Sequence, residues 1–152
     1  MKIKIKDPGS ALTHFIAMIC AALAAVPLLY KAAGEPDHIH LASLMIFIVS
    51  MILLYAASTV YHTLDISEKV NKILRKLDHM MIYILIAGTY TPVCLIVLGN
   101  RSGYTLLALV WAIALAGITI NALWISCPKW FSSLIYIAMG WICILALRQI
   151  IL

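Results

Sequence analysis

Five stretches of this chain carry no Asp, Glu, Lys or Arg: residues 8–30, 39–64, 79–100, 102–128 and 130–147, which are 23, 26, 22, 27 and 18 residues long. A helix needs roughly 20 apolar residues to cross the ~30 Å hydrocarbon core of a bilayer. Five such crossings use up nearly all of the 152 residues and leave almost nothing for a soluble domain. Composition agrees, with 64% apolar and 11% charged residues, against about 25% charged in an ordinary globular domain. The fold class expected is therefore all-α, a polytopic transmembrane helical bundle. The spans fall at about 9–30, 41–63, 78–99, 104–125 and 131–150, within a single integral membrane domain over 1–152.

The opening "MKIKIKDPGS" has the positive charge of a signal peptide. The apolar run behind it is long for such a peptide, and no small-residue cleavage site precedes a mature domain, so we read it as a retained first span. Cationic residues sort strongly by side. Lys2, Lys4, Lys6, Lys69, Lys72, Arg75, Lys76 and Lys129 flank one end of the expected spans, and only Lys31, Arg101 and Arg148 flank the other. The positive-inside rule then puts the N-terminus in the cytoplasm. The net charge of +5 reflects that topology and the anionic headgroups it faces, so membrane lipids are the expected partners and nothing points to nucleic acid. Cys20, Cys94, Cys127 and Cys143 are scattered, with no C-x-x-C among them, and read as small apolar packing residues.

The connection at 65–77, "DISEKVNKILRKL", places Ile66, Val70, Ile73, Leu74 and Leu77 on one helical face and its lysines and arginine mostly around the other. Asp65 with Glu68 three residues on supplies an N-cap signal. The segment reads either as a short basic helix lying on the inner leaflet or as a plain cationic anchor. Within the spans, Ala17, Ala21 and Ala25 recur every four residues, as do Ala112 and Ala116, a spacing that lets helices approach closely in lipid. Gly88 precedes Pro92 by four residues, where it would relieve the crowding that proline causes, and a kink in the third span is expected. Tyr30, Tyr104, Trp124 and Trp130 sit near span ends, as in an aromatic belt.

Polar side chains inside spans are costly and usually functional. In "YAASTVYHTLD", Ser58 and His62 share one face, with the serine a turn deeper. The second span runs inward, so His62 arrives at the cytoplasmic end. Asp78 in "RKLDHMMIY" enters the third span from that same end, and His14 in "GSALTHF" sits near the inner end of the first. Imidazole and carboxylate at one depth suit zinc, with a hydroxyl or second carboxylate holding a water. A zinc-bound water ionises near pH 7 and could attack an ester or amide. The plainer alternative is that His62 and Asp78 simply pair at the headgroup boundary. His79 lies about 100° round the helix from Asp78 and reads as a packing or interfacial residue. His38 and His40 belong to the opposite side and read as loop residues.

The stretches "DPGSALTHFIA", "STVYH", "KLDHMMIYILIAGTYTP" and "PKWFSSLIYIAMGW" resemble, in order, the hemolysin III family, the bacterial branch of the progestin and adiponectin receptor superfamily. The similarity runs from about Lys6 to Trp141. It implies a seven-helix bundle, of which five helices are present here, with a zinc site near the cytoplasmic face. It further implies that His62 is a metal ligand, that Asp78 holds a zinc-bound water and that Ser58 lines the site. Two more zinc-binding histidines are implied from an H-x-x-x-H on a seventh span, and this sequence contains no H-x-x-x-H. On that comparison the chain looks like a C-terminally truncated member, with His14 the candidate substitute ligand. The expected function is membrane homeostasis in a bacterial plasma membrane, in a family named for cytolysis. The alternative is a zinc-dependent hydrolase acting on a lipid amide or ester, with its site incomplete here. A receptor-like sensor of bilayer state is a third reading. A simple aqueous pore is disfavoured, because a channel needs a polar lining.

Overall fold

A computed structural model describes residues 5–124, 128–144 and 147. The described residues form five helices: α1 (Pro8–Ala33), α2 (His38–Thr63), α3 (Glu68–Pro92), α4 (Arg101–Leu123) and α5 (Lys129–Trp141), with a π-helical turn, Val93–Leu98, extending α3. The chain is a helical transmembrane bundle. Four helices are long and apolar enough to cross a bilayer: α1, α2, α3 with its π turn (31 residues), and α4. The thirteen residues of α5 begin the expected fifth span, and much of its remainder lies outside the described residues.

Local chemistry sets the helix starts. Pro8 occupies the first turn of α1, where its missing N–H costs nothing. The Asp37 carboxylate accepts from Ile39 N at 2.9 Å to cap α2, and the Asn100 side chain accepts from Gly103 N at 2.9 Å to cap α4. At α3 the cap is Ser67, which accepts from Val70 N, and not the expected Asp65. Asp65 instead accepts from Asn71 Nδ2 at 2.8 Å, while Asn71 Oδ1 accepts from Ile66 N. Together these bonds close the turn between α2 and α3.

Three further expectations change. The basic stretch 65–77 is not an element of its own. From Glu68 onward it is the start of α3, which runs unbroken into the apolar residues. At 1.5 Å per residue a 31-residue helix is about 46 Å long, so its basic end projects well beyond a ~30 Å core. Gly88 gains a packing role in addition to the one expected from Pro92: a Cβ there would run into the Ser50 hydroxyl and stand 2.9 Å from Ser50 Cβ, so α2 and α3 meet at this point. Pro92 closes the α-helical part of α3, and the π turn that follows it ends at Gly99 in the left-handed region, φ +52°. Finally, Ala112 and Ala116 are exposed, and α4 buries Val110, Ala114, Gly117 and Asn121 instead. In α1, Ala21 and Ala25 are indeed buried, on a helix that packs on α2.

The helices pack in chain order, α1 on α2, α2 on α3 and α3 on α4, with α5 returning against α3 and α4. The main core lies among the last three: Tyr83, Ala87, Tyr90 and Cys94 against Leu106, Val110, Ala114 and Met139. Tyr30, Tyr104, Trp124 and Trp130 are exposed at helix ends, where an aromatic belt would sit. His38 and His40 form the first turn of α2, not a loop.

Candidate functional site

The end of the bundle that gathers Lys6, the last turn of α2, the first turns of α3 and the last turn of α4 also gathers the candidate site. Lys76 Nζ ties two of these together by donating to the Ala122 carbonyl at 3.3 Å. Across the end of α2 lies the segment preceding α1. Asp7 N donates to the His62 carbonyl at 2.9 Å and Lys6 N to the Thr63 carbonyl at 3.4 Å, which satisfies carbonyls that the helix terminus leaves open. Lys6 Nζ sits 3.7 Å from the centroid of the Tyr61 ring, a cation–π contact.

That strap delivers a carboxylate to His62. His62 Nδ1 lies 3.3 Å from Asp7 Oδ2, and the Ser10 hydroxyl donates to the same oxygen at 2.7 Å. The Ser10 hydroxyl, seconded by the His62 imidazole, holds the Asp7 carboxyl below its ordinary 3.8. His14 stacks beside His62, centroids 5.6 Å apart and planes at 22°, and Tyr61 meets the His62 ring edge-on at 4.8 Å. Tyr55 stands 6.0 Å from the His14 ring. Ser58, a turn deeper on the His62 face, is buried. The structure thus brings His62 and His14 into ring contact, with Ser58 a turn deeper on α2, and adds Asp7.

Among the described residues Asp78 makes no ion pair with this group. Its carboxylate is largely buried, and its partner is His79, whose Nδ1 comes within 3.8 Å of Asp78 Oδ2. His79 therefore turns toward Asp78, contrary to the expectation from helix geometry. The ring folds back along the helix to donate from Nδ1 to the Arg75 carbonyl at 2.8 Å, and so passes its neighbour. Among the described residues His62 and Asp78 form no ion pair, and no three His, Cys, Asp or Glu side chains group as a metal site. Catalytic zinc normally has three protein ligands, so the described residues do not fit zinc as a set.

A second polar cluster, unforeseen from the sequence, lies beside Asp78 between α3, α4 and α5. The Ser132 hydroxyl donates to Asn121 Oδ1 at 3.0 Å, and Asn121 Nδ2 donates to the Tyr83 hydroxyl at 3.1 Å. The Tyr136 ring packs on Tyr83 at 4.5 Å between centroids, and its hydroxyl donates to the His79 carbonyl at 2.8 Å. Tyr83 is wholly buried and seats its ring on Gly117, where a Cβ would lie 2.5 Å from Cε1. The available signal was Asn121, an amide isolated within an uncharged run. For Asp7 it was an acid beside a helix-starting proline at the same end as His62.

Comparison with known proteins matches these features to one family. The family model described as Haemolysin-III related covers residues 3–152. The chain is 39% identical over 145 residues to a hemolysin-3 homolog from Bacillus subtilis (strain 168), covering 95% of this chain and 68% of that protein. It is 38% identical to a hemolysin-3 from Bacillus cereus, covering 95% of this chain and 66% of that one. It thus spans about two thirds of the length of these curated relatives, and no solved structure matches it. A membrane-spanning helical bundle matched by this family model almost from end to end belongs to the haemolysin-III-related family.

Proposed function

We propose that the chain serves membrane homeostasis as a multi-pass protein of the bacterial plasma membrane, with its N-terminus in the cytoplasm and membrane lipids as its partners. The observation that carries this reading is the chemistry of the interior. Among the described residues the most deeply buried polar side chains are Ser43, Ser50, Ser58, Thr91, Asn121 and Ser132, all neutral, and the largely buried Asp78 carboxylate lies beside His79. Rings of charged groups or carbonyls line aqueous pores, and no such lining is present among these residues. Any lytic effect therefore works through the bilayer and not through a channel. The cationic end, with Lys69, Lys72, Arg75 and Lys76 on α3, faces the anionic inner leaflet in this orientation.

The second reading, a zinc-dependent hydrolase of a lipid amide or ester, is favoured by the setting of His62 beside a carboxylate, with a buried serine a turn deeper on the same helix. In it His62 ligates the metal, Asp78 holds a water and Ser58 lines the site. The described residues alone do not complete that ligand set, so no hydrolytic step is assigned to them. Vesicles of phosphatidylethanolamine and phosphatidylglycerol, loaded with dyes of graded size, separate the readings. Release without size selection, unchanged by His62→Ala, is the expected result. Size-graded release would overturn the homeostasis reading in favour of a pore. Lipid hydrolysis abolished by His62→Ala would overturn it in favour of the enzyme.

A further inference from the structure

We infer that Asp7 is a positioning residue for His62: it holds the imidazole in the Nδ1–H form and leaves Nε2 as the ring's open lone pair. An ionised carboxylate only accepts hydrogen bonds. The nitrogen 3.3 Å from Asp7 Oδ2 is Nδ1, so that nitrogen carries the proton in the neutral ring. A carboxylate bonded to one ring nitrogen fixes the tautomer, sets the ring plane and raises the basicity of the far nitrogen.

The carboxylate is itself held in place. The Asp7 backbone N–H donates to the carbonyl of His62 at 2.9 Å, so the two residues are joined by both main chain and side chain. Pro8 fixes the chain direction immediately after Asp7 and starts α1. The Ser10 hydroxyl donates to Oδ2 at 2.7 Å and orients the carboxylate plane. On its two other sides the imidazole meets the rings of His14 and Tyr61, which restrict its rotation. The segment before the first helix is thus part of the site, although it lies outside every membrane span. The consequence for chemistry rests on His62 being a working group, as in the hydrolase reading; the tautomer itself does not.

Nitrogen-15 NMR of the histidine rings, on the full chain in micelles near neutral pH, tests the inference without substrate or metal. The His62 signals are assigned by their loss in His62→Gln. The wild-type protein is expected to show a protonated Nδ1 and an unprotonated Nε2. A protonated Nε2 in the wild type would overturn the inference, and this measurement needs no variant to fold. Asp7→Ala is expected to move the proton to Nε2 or to mix the two forms, while Ser10→Ala keeps the Nδ1–H form. No change in Asp7→Ala would equally overturn it. A correct tautomer in a protein without lipid-hydrolase activity would sink the enzyme reading alone and leave the role of Asp7 standing.

Discussion

Around His62 the polar groups are ionisable, partly exposed and drawn in part from a segment outside the helices. Around Tyr83 they are neutral, buried and contributed by three helices. The two clusters lie toward the same end of the bundle, and the contrast follows from depth. At the headgroup boundary water still reaches the side chains, so a contact such as Asp7–His62 contributes little to stability and is free to set an orientation. One or two turns further in, an unpaired polar group has no water to turn to and costs several kcal/mol, so each must find a partner in the protein. Ser132, Asn121 and Tyr83 bond in sequence, and Tyr136 closes on a backbone carbonyl. The deep cluster should therefore be stiff and sensitive to mutation. The shallow one should tolerate change in stability while responding in protonation.

The largest expected effect is at Gly117. A methyl group there would stand 2.5 Å from Cε1 and 2.7 Å from Cζ of a ring with no room to move. Gly117→Ala should lower stability in detergent by about 1–3 kcal/mol, the usual cost of overpacking a filled core. Gly140→Ala is the matched control, because nothing among the described residues lies within 4 Å of the Cβ it adds. It should be neutral or gain up to about 1 kcal/mol from helix propensity. Equal behaviour of the two variants would break the claim that the Tyr83 cluster is rigid.

A smaller effect is expected from the hydrogen bonds themselves. Asn121→Ala and Tyr83→Phe each remove one side of the 3.1 Å bond between α3 and α4. Interhelical hydrogen bonds in membrane proteins average about 0.6 kcal/mol and reach about 1.7. A double-mutant cycle should place the Tyr83–Asn121 coupling in that range. A coupling of zero would mean that the amide is held by Ser132 alone, and would make the two clusters more alike than proposed.

The same contrast explains what could be read from the sequence. The spans were legible because charge is excluded from hydrocarbon, so uncharged runs mark them directly. His62, Ser58 and His14 were legible as neighbours because helix spacing and the alternation of spans fix their depth. Asp7 was passed over because it lies before the first run, where only its contact with α2 gives it meaning. Asp78 was placed at the right end, and the partner it finds there, His79, depends on side-chain rotation, which depth does not determine. The Tyr83 cluster is neutral and joins residues far apart in the chain, so neither a charge count nor local periodicity could reveal it. Gly88 shows the same limit: a local rule about proline offered one reason for the residue, and its neighbour Ser50 on another helix supplies a second that the sequence did not show.

The smallest expected effect concerns the shallow cluster and is read as a titration. The Asp7 carboxyl is held below 3.8 first by the Ser10 hydroxyl and further by His62. A carboxyl whose folded value is depressed stabilises the fold fully above its unfolded value and loses that contribution as pH falls through the folded one. The strap should therefore be fully engaged at neutral pH, and its loosening should begin only below 3.8. Carbon-13 NMR of the Asp7 carboxyl in micelles should give a midpoint below 3.8 in the wild type and a higher one in Ser10→Ala. A wild-type midpoint at or above 3.8 would show that the serine and the imidazole do not hold the carboxylate. The shallow cluster would then differ from the deep one in being loose as well as ionisable.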